Sequence, residues 1–308
     1  MDNKRNVTIY DIAKEAGVSP SMVSRVVSGN GNVSEKNRER VKELIERYQY
    51  RPNAVARGLQ KKHTKMIGFM LPHILTEYFS RIYYEFDECA TKHGYMTILC
   101  NGKSNEENEI KLLQGLMEAR VDAIVIMGGG LDKVLISKTY QEEIQKLAKM
   151  IPCVCCTKQA KLFGGIGVHA DDELGAKLLM EHLKEQKYHS MAIVGGCETV
   201  FPSFDKKTFL MKYAKDYGIE TRIEWNIGNT FSEEDGYTSL QNILQQEVLP
   251  EVVCCINDHV ALGALNAIKD AGLRVPEDIA VTGFDGVSVS KLARPKITTV
   301  AVDYQRFG

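Results

Sequence analysis

From residue 66 onward, short apolar runs alternate with longer stretches whose apolar residues recur every three to four positions, and the cycle occurs twice over. This rhythm constrains the fold more than any other feature of the chain. The runs have strand length and the stretches have helix length, which is the signature of parallel strands joined by crossover helices. In the first series the pattern predicts strands at Met66–Leu71, Tyr95–Cys100, Asp122–Met127 and Pro152–Cys156, with helices near Tyr78–His93, Glu106–Arg120 and Gln141–Lys149. In the second it predicts strands near Met191–Gly195, Val252–Ile256 and Ile279–Gly283, with helices near Asp172–Gln186, Ser203–Tyr217, Ser232–Gln246 and His259–Ala271. Two such α/β lobes in series bind ligands at the C-terminal ends of their strands, in the crevice between them, and close around the ligand by a hinge.

The first 60 residues follow a different period. Thr8 stands as a cap three residues before Asp11, and Ile9, Ile12, Ala13 and Ala16 share one helical face that Gly17 ends. Ser19 and Pro20 restart the chain as cap and first helical residue of a segment to Ser28, with Met22, Val23, Val26 and Val27 inward. Gly29 to Asn32 forms a loop, and Ser34 caps a third helix from Glu35 to about Tyr48. Two helices joined by a short glycine-containing turn make a helix-turn-helix, whose second helix enters the DNA major groove. Its solvent-facing positions are Pro20, Ser21, Ser24 and Arg25. Arg25 suits a bidentate contact to guanine. Tyr10, Ser19, Ser24 and Asn30 suit phosphates, and Thr8 borders the same surface.

Charge agrees with this division. Residues 1–65 hold 14 Lys/Arg against 7 Asp/Glu, whereas the rest hold 25 against 33. A basic head on an acidic body is expected where only the head meets a polyanion. Between them, Asn53 can cap a short helix over 54–60 that Gly58 weakens and that exposes Leu59, followed by Lys61, Lys62 and Lys65. So short a helix forms only against a partner, which suits an apolar wedge in the minor groove; a disordered basic linker is the plainer alternative.

At these residues the chain resembles the LacI/GalR family of bacterial regulators. Thr8 to Ser19 (TIYDIAKEAGVS) and Val23 to Val27 (VSRVV) resemble that family's DNA-reading head, and Tyr50 to Leu59 (YRPNAVARGL) its hinge helix. Asn257-Asp258, Ala261 to Gly263 and Gly272 to Asp285 (GLRVPEDIAVTGFD) resemble its sensor core. The resemblance implies a helix-turn-helix domain at 1–49, a hinge and linker at 50–64, and a two-lobed, periplasmic-binding-protein-like effector and dimerisation domain at 65–308. It also implies a homodimer on double-stranded, near-palindromic operator DNA. Asn53, Ala56, Arg57 and Leu59 would contact that DNA from the hinge, with Leu59 as wedge. Met22 and Gly58 depart from the family's usual Thr and Ser. The family also continues beyond a segment like Val300–Tyr304, so a final helix and a last second-lobe strand are expected to be missing.

For the small-molecule effector, the strand-end rule and the resemblance together mark Tyr78, Phe79, Thr199, Asp205, Phe231, Asp258 and Asp285. Tyr78 and Phe79 match an aromatic pair placed against a ligand ring, and Asp285 matches an acceptor of ligand hydrogen bonds. Core packing would equally explain the aromatic pair, and a turn or cap would explain Asp285. Asp205 falls where the family carries an effector-gripping Arg. An anion there repels carboxylates and phosphates, so the effector is neutral or cationic, or the cleft no longer binds one.

Other classes are disfavoured. The start has no apolar run to act as a signal peptide and no stretch approaches a membrane span, which points to the cytoplasm. The eight cysteines lack metal-ligand spacing and read as small buried hydrophobes. Gly128-Gly129-Gly130 is not a dinucleotide fingerprint, so no cofactor or enzyme activity is expected. A transport receptor would share the body but not the DNA head. A corepressor protein acting in place of a small effector stays open within regulation.

Overall fold

Thr8 opens the first helix by a reciprocal cap. Its hydroxyl accepts from the Asp11 amide at 3.4 Å, and the Asp11 carboxylate accepts from the Thr8 amide at 2.8 Å. Helix α1 (Ile9–Ala16) then ends at Gly17, whose φ of 67° favours glycine. Ser19 caps α2 (Pro20–Ser28) through the Met22 amide at 3.2 Å, and α3 is Glu35–Arg47. Ser34 stands at the α3 cap position but makes no side-chain capping bond. Ile12, Ala13, Ala16, Val23, Val41 and Leu44 are the buried core of this head, with Val26 and Val27 packed on it. Met22 is half-buried instead of fully inward, and its sulfur accepts from the Asn37 side chain at 3.6 Å.

These coordinates come from a computed structural model that describes residues 7–29, 32–50 and 63–308. The chain divides into two compact units, Met1–Lys65 and Met66–Gly308.

In the second unit, the first lobe is built on β1 (Met66–Leu71), β2 (Met96–Asn101), β3 (Ala123–Met127), β4 (Cys153–Cys156) and β5 (Ile166–Gly167). They pair in parallel in the order β2-β1-β3-β4-β5. The crossovers are α4 (Glu77–Lys92), α5 (Glu106–Glu118), α6 (Lys138–Met150) and the short α7 (Ala160–Phe163). The second lobe repeats the plan. Strands β6 (Ser190–Val194), β7 (Glu220–Ile227), β8 (Val252–Cys255), β9 (Ala280–Asp285) and β10 (Thr298–Ala301) lie in the order β10-β9-β8-β6-β7. Helices α8 (Asp172–Glu185), α9 (Phe201–Tyr217), α10 (Glu233–Leu244), α11 (Asp258–Asp270) and α12 (Ser288–Leu292) cover that sheet, and α13 (Tyr304–Phe307) follows.

Read from the strand beside each first strand, both sheets have the doubly wound order 2-1-3-4-5. The switch points therefore lie between β1 and β3 and between β6 and β8, where loops diverge and leave a crevice. The expected elements form within a few residues of their predicted bounds. Strands β5, β7 and β10 are additional; β10 closes one edge of the second sheet, and after it Tyr304 docks among the first-lobe residues Phe69, Leu71 and Ile82. Among the described residues no helix is long and apolar enough to cross a membrane.

Candidate effector cleft and DNA-reading surface

The strand ends of the two lobes face a cavity of about 510 Å³, of the size that holds a small metabolite. Its first-lobe wall comes from the loops after β1, β3 and β4, and its second-lobe wall from those after β6, β7, β8 and β9. Tyr78 and Phe79 stack edge-on at 5.2 Å on the first wall, and Phe201 and Phe231 stand on the second. Burial pushes the Tyr78 hydroxyl well above the usual phenol range, with Asp285 and Asp172 adding to it.

The turn after β3 is built by its glycines. Gly128 and Gly129 both have positive φ, and a Cβ on either would strike a neighbour, Pro72 in one case and the Glu109 carboxylate in the other. Glu109, buried beneath, accepts from the Gly130 amide at 3.0 Å and from the Tyr140 hydroxyl at 2.7 Å. Burial raises the Glu109 carboxyl, while those two donors pull it down. The turn thereby holds Asp132 at the cavity wall. Burial pushes the Asp132 carboxyl up to about 7; a bond from Thr157 opposes the shift, and Asp172 and Glu109 add to it. Asp172, at the start of α8, is raised by burial and pulled back by Lys206 and Lys158.

Two lysines answer two other aspartates. Lys158 of the first lobe meets Asp205 of the second at 2.8 Å, and Lys206 meets Asp285 at 3.1 Å. Burial alone would lower the Lys206 ammonium, but Asp285 and Asp172 overrule it and hold it above the ordinary lysine range. Further bonds join the lobes. The Val134 amide donates to the Thr199 carbonyl at 2.9 Å. Arg81 donates to the Gly286 carbonyl at 3.1 Å and lies 4.1 Å over the Tyr304 ring. Glu77 accepts from the Ser288 amide and hydroxyl at 2.8 and 2.5 Å.

Of the sequence-marked residues, Tyr78, Phe79, Thr199, Asp205, Phe231 and Asp285 all line this cavity. Asp258 does not. It is fully buried below the floor, where it accepts from the Val287 amide at 2.7 Å and the Thr299 hydroxyl at 2.6 Å. Burial raises its carboxyl to about 6 against those bonds. Asp258 thus braces the loop that carries Asp285 and is corrected from a lining residue to a supporting one. The reading of Asp205 as a bare anion is also revised, because Lys158 neutralises it. Asp132, Lys158, Asp172 and Lys206 were missed. For three of them the signal was position: Asp132 and Lys158 follow strand ends and Asp172 opens a cleft-side helix, whereas Lys206 lies in the second turn of α9, where no strand-end rule marks it.

In the head, Tyr10 is 70% exposed, and Ser19, Ser21 and Arg25 are exposed at the start and along α2. Pro20 and Ser24 are half-buried, and the Thr8 hydroxyl is engaged with Asp11 at 2.6 Å. Asn30, Asn53, Ala56, Arg57 and Leu59 lie outside the described residues.

Comparison with known proteins gives the same two-part division. Residues 8–53 match the family model of bacterial regulatory proteins of the lacI family. Residues 64–308 match that of periplasmic binding proteins and the sugar binding domain of the LacI family. Catabolite control protein A of Priestia megaterium is 32% identical over 296 residues, 96% of this chain and 87% of that protein. The same protein of Staphylococcus xylosus matches to the same extent. Among solved structures, the Lac repressor dimer bound to operator and the anti-inducer ONPF superposes with a TM-score of 0.85 at 26% identity, covering 98% of this chain and 89% of that one. A transcriptional regulator CelR–cellobiose complex, at 21% identity and TM-score 0.69, covers 98% and 89% and shares the fold. With a helix-turn-helix head, a doubly wound two-lobed body and both family models in chain order, the chain belongs to the LacI family of bacterial regulatory proteins and is a DNA-binding transcriptional regulator.

Proposed function

We propose that this chain is a cytoplasmic, homodimeric repressor whose hold on a near-palindromic operator is set by a small polar metabolite bound between its lobes. The observation that carries the reading is the cavity itself. It has aromatic walls, convergent polar groups and an ion pair, Lys158–Asp205, directly between its two walls, so a ligand inside it bears on the lobe angle. Tyr78, Phe79, Phe231 and Thr199 form its contact surface, Asp285 accepts ligand hydrogen bonds, and the Lys158–Asp205 pair makes it a poor host for anions, because neither lysine is left without a carboxylate. A change in lobe angle alters the spacing of the two hinge segments of a dimer, which fold into the minor groove or melt. In the head, Arg25 and Ser21 read bases while Tyr10, Ser19, Ser24 and Asn30 hold phosphates.

Selection of bound fragments from random duplex DNA, with and without a metabolite panel, tests this. The expected result is a near-palindromic consensus whose affinity changes about 5- to 150-fold with one class of metabolite. A consensus that no metabolite alters removes the effector, and the absence of any consensus removes the operator.

A further inference from the structure

Four aspartates line the cavity, but only two of them have a cation at bonding distance. Lys158 and Lys206 are taken by Asp205 and Asp285, and Lys133 is taken by Glu106 at 3.0 Å. Asp132 and Asp172 are left with no cation at bonding distance, and Asp172 feels Lys206 and Lys158 only from farther off. Asp172 is only 9% exposed, yet its side chain has no hydrogen bond or ion pair among the described residues. Asp132 has one carboxylate oxygen sealed from water with no hydrogen-bond partner. A buried carboxylate without a partner is unstable as an anion, and a second one facing the same space makes both worse. Tyr78, Phe79 and Phe231 line the same cavity, and aromatic side chains are favourable neighbours for ammonium groups.

We infer that the effector carries a protonated amine, held at the Asp132–Asp172 end of the cleft. The inference rests on the effector reading above and narrows it from polar metabolites to amino compounds such as amino sugars or amino alcohols. An ammonium supplies what both carboxylates lack: up to three donors and a compensating charge. A hydroxyl supplies one donor and no charge. A carboxylate or phosphate adds a further anion to a wall already in excess.

Calorimetric titration of the full chain with matched sets tests this. One set is D-glucosamine, D-glucose and D-glucuronate; the other is 1,4-diaminobutane, 1,4-butanediol and succinate. In every set that binds, the amine is expected to bind ten times or more tighter than its neutral partner, and the anion weakest. Asp172→Asn, nearly isosteric, is expected to cut that preference below threefold, chiefly by weakening the amine. The ligand ratio on the unaltered chain stands even if the variant folds poorly. A neutral or anionic member binding as tightly as its amine overturns the inference and leaves the effector reading intact. Binding by no member overturns the inference, and the effector reading falls with it only if the wider metabolite panel also leaves operator affinity unchanged.

Discussion

Asp132 shows how one side chain couples the fold to its solvent. Its carboxyl is pushed from 3.8 up to about 7 in the folded chain, chiefly by burial. The native state therefore holds that proton more tightly than the unfolded chain does. Between these values the native form binds more protons, so stability falls as pH rises through the window and the full penalty applies above pH 7. Asp132→Asn keeps an acceptor for Thr157 and removes the charge. It is expected to raise the melting midpoint at pH 8 by several degrees, at about 2–4 °C per kcal/mol, and to change it little at pH 5. Thermal scans across pH check this, and an unchanged or lowered midpoint at pH 8 would count against it. At this scale the sequence was only partly legible. Asp285 and Asp258 both follow strands, and the strand-end rule marks them alike. They separate because Gly283, lacking a side chain, lets Asp258 sink against β9 toward Thr299, and no linear pattern reports that approach. Asp205 looked like an isolated anion because its partner, Lys158, lies 47 residues away in the other lobe.

The elements were easier to read where burial imposes a period. Strands β1, β3 and β8 are largely buried and appear as unbroken apolar runs. Strand β7 escaped detection because it is an edge strand. Its exposed Glu220, Thr221 and Glu224 break any apolar run, and such charges keep an edge from pairing with other chains. Strand β5 is two residues long and carries no period at all. Two predictions belong here. Thr8→Ala removes the hydroxyl half of the α1 cap and is expected to destabilise the head by about 1 kcal/mol, read as an earlier loss of operator binding on warming. If Leu59 is the wedge that the family resemblance implies, Leu59→Ala is expected to weaken specific binding at least tenfold while leaving nonspecific binding within about twofold, because a wedge acts only where it opens a base step. Equal losses on operator and random DNA would exclude the wedge role.

For the whole molecule, the basic head predicts that operator affinity falls steeply with salt, by about 10³-fold or more between 50 and 200 mM if six or more phosphates are contacted. Gel-shift titrations at several salt concentrations measure the slope; a flat dependence would refute an electrostatic footing. Lys158→Ala removes an ion pair that ties the lobes together with both partners mostly buried. It is expected to enlarge the radius of gyration of the ligand-free chain in small-angle scattering, and an unchanged radius would show that the remaining bonds suffice. Those remaining bonds have a consequence of their own. Glu77 and Arg81 sit one turn apart on α4 and grip Ser288 and Gly286, two residues apart at the start of α12 and just before it. Both grips lie at one spot, so a rotation that parts α4 from this segment is expected to strip them together, like a snap fastener and not a zip.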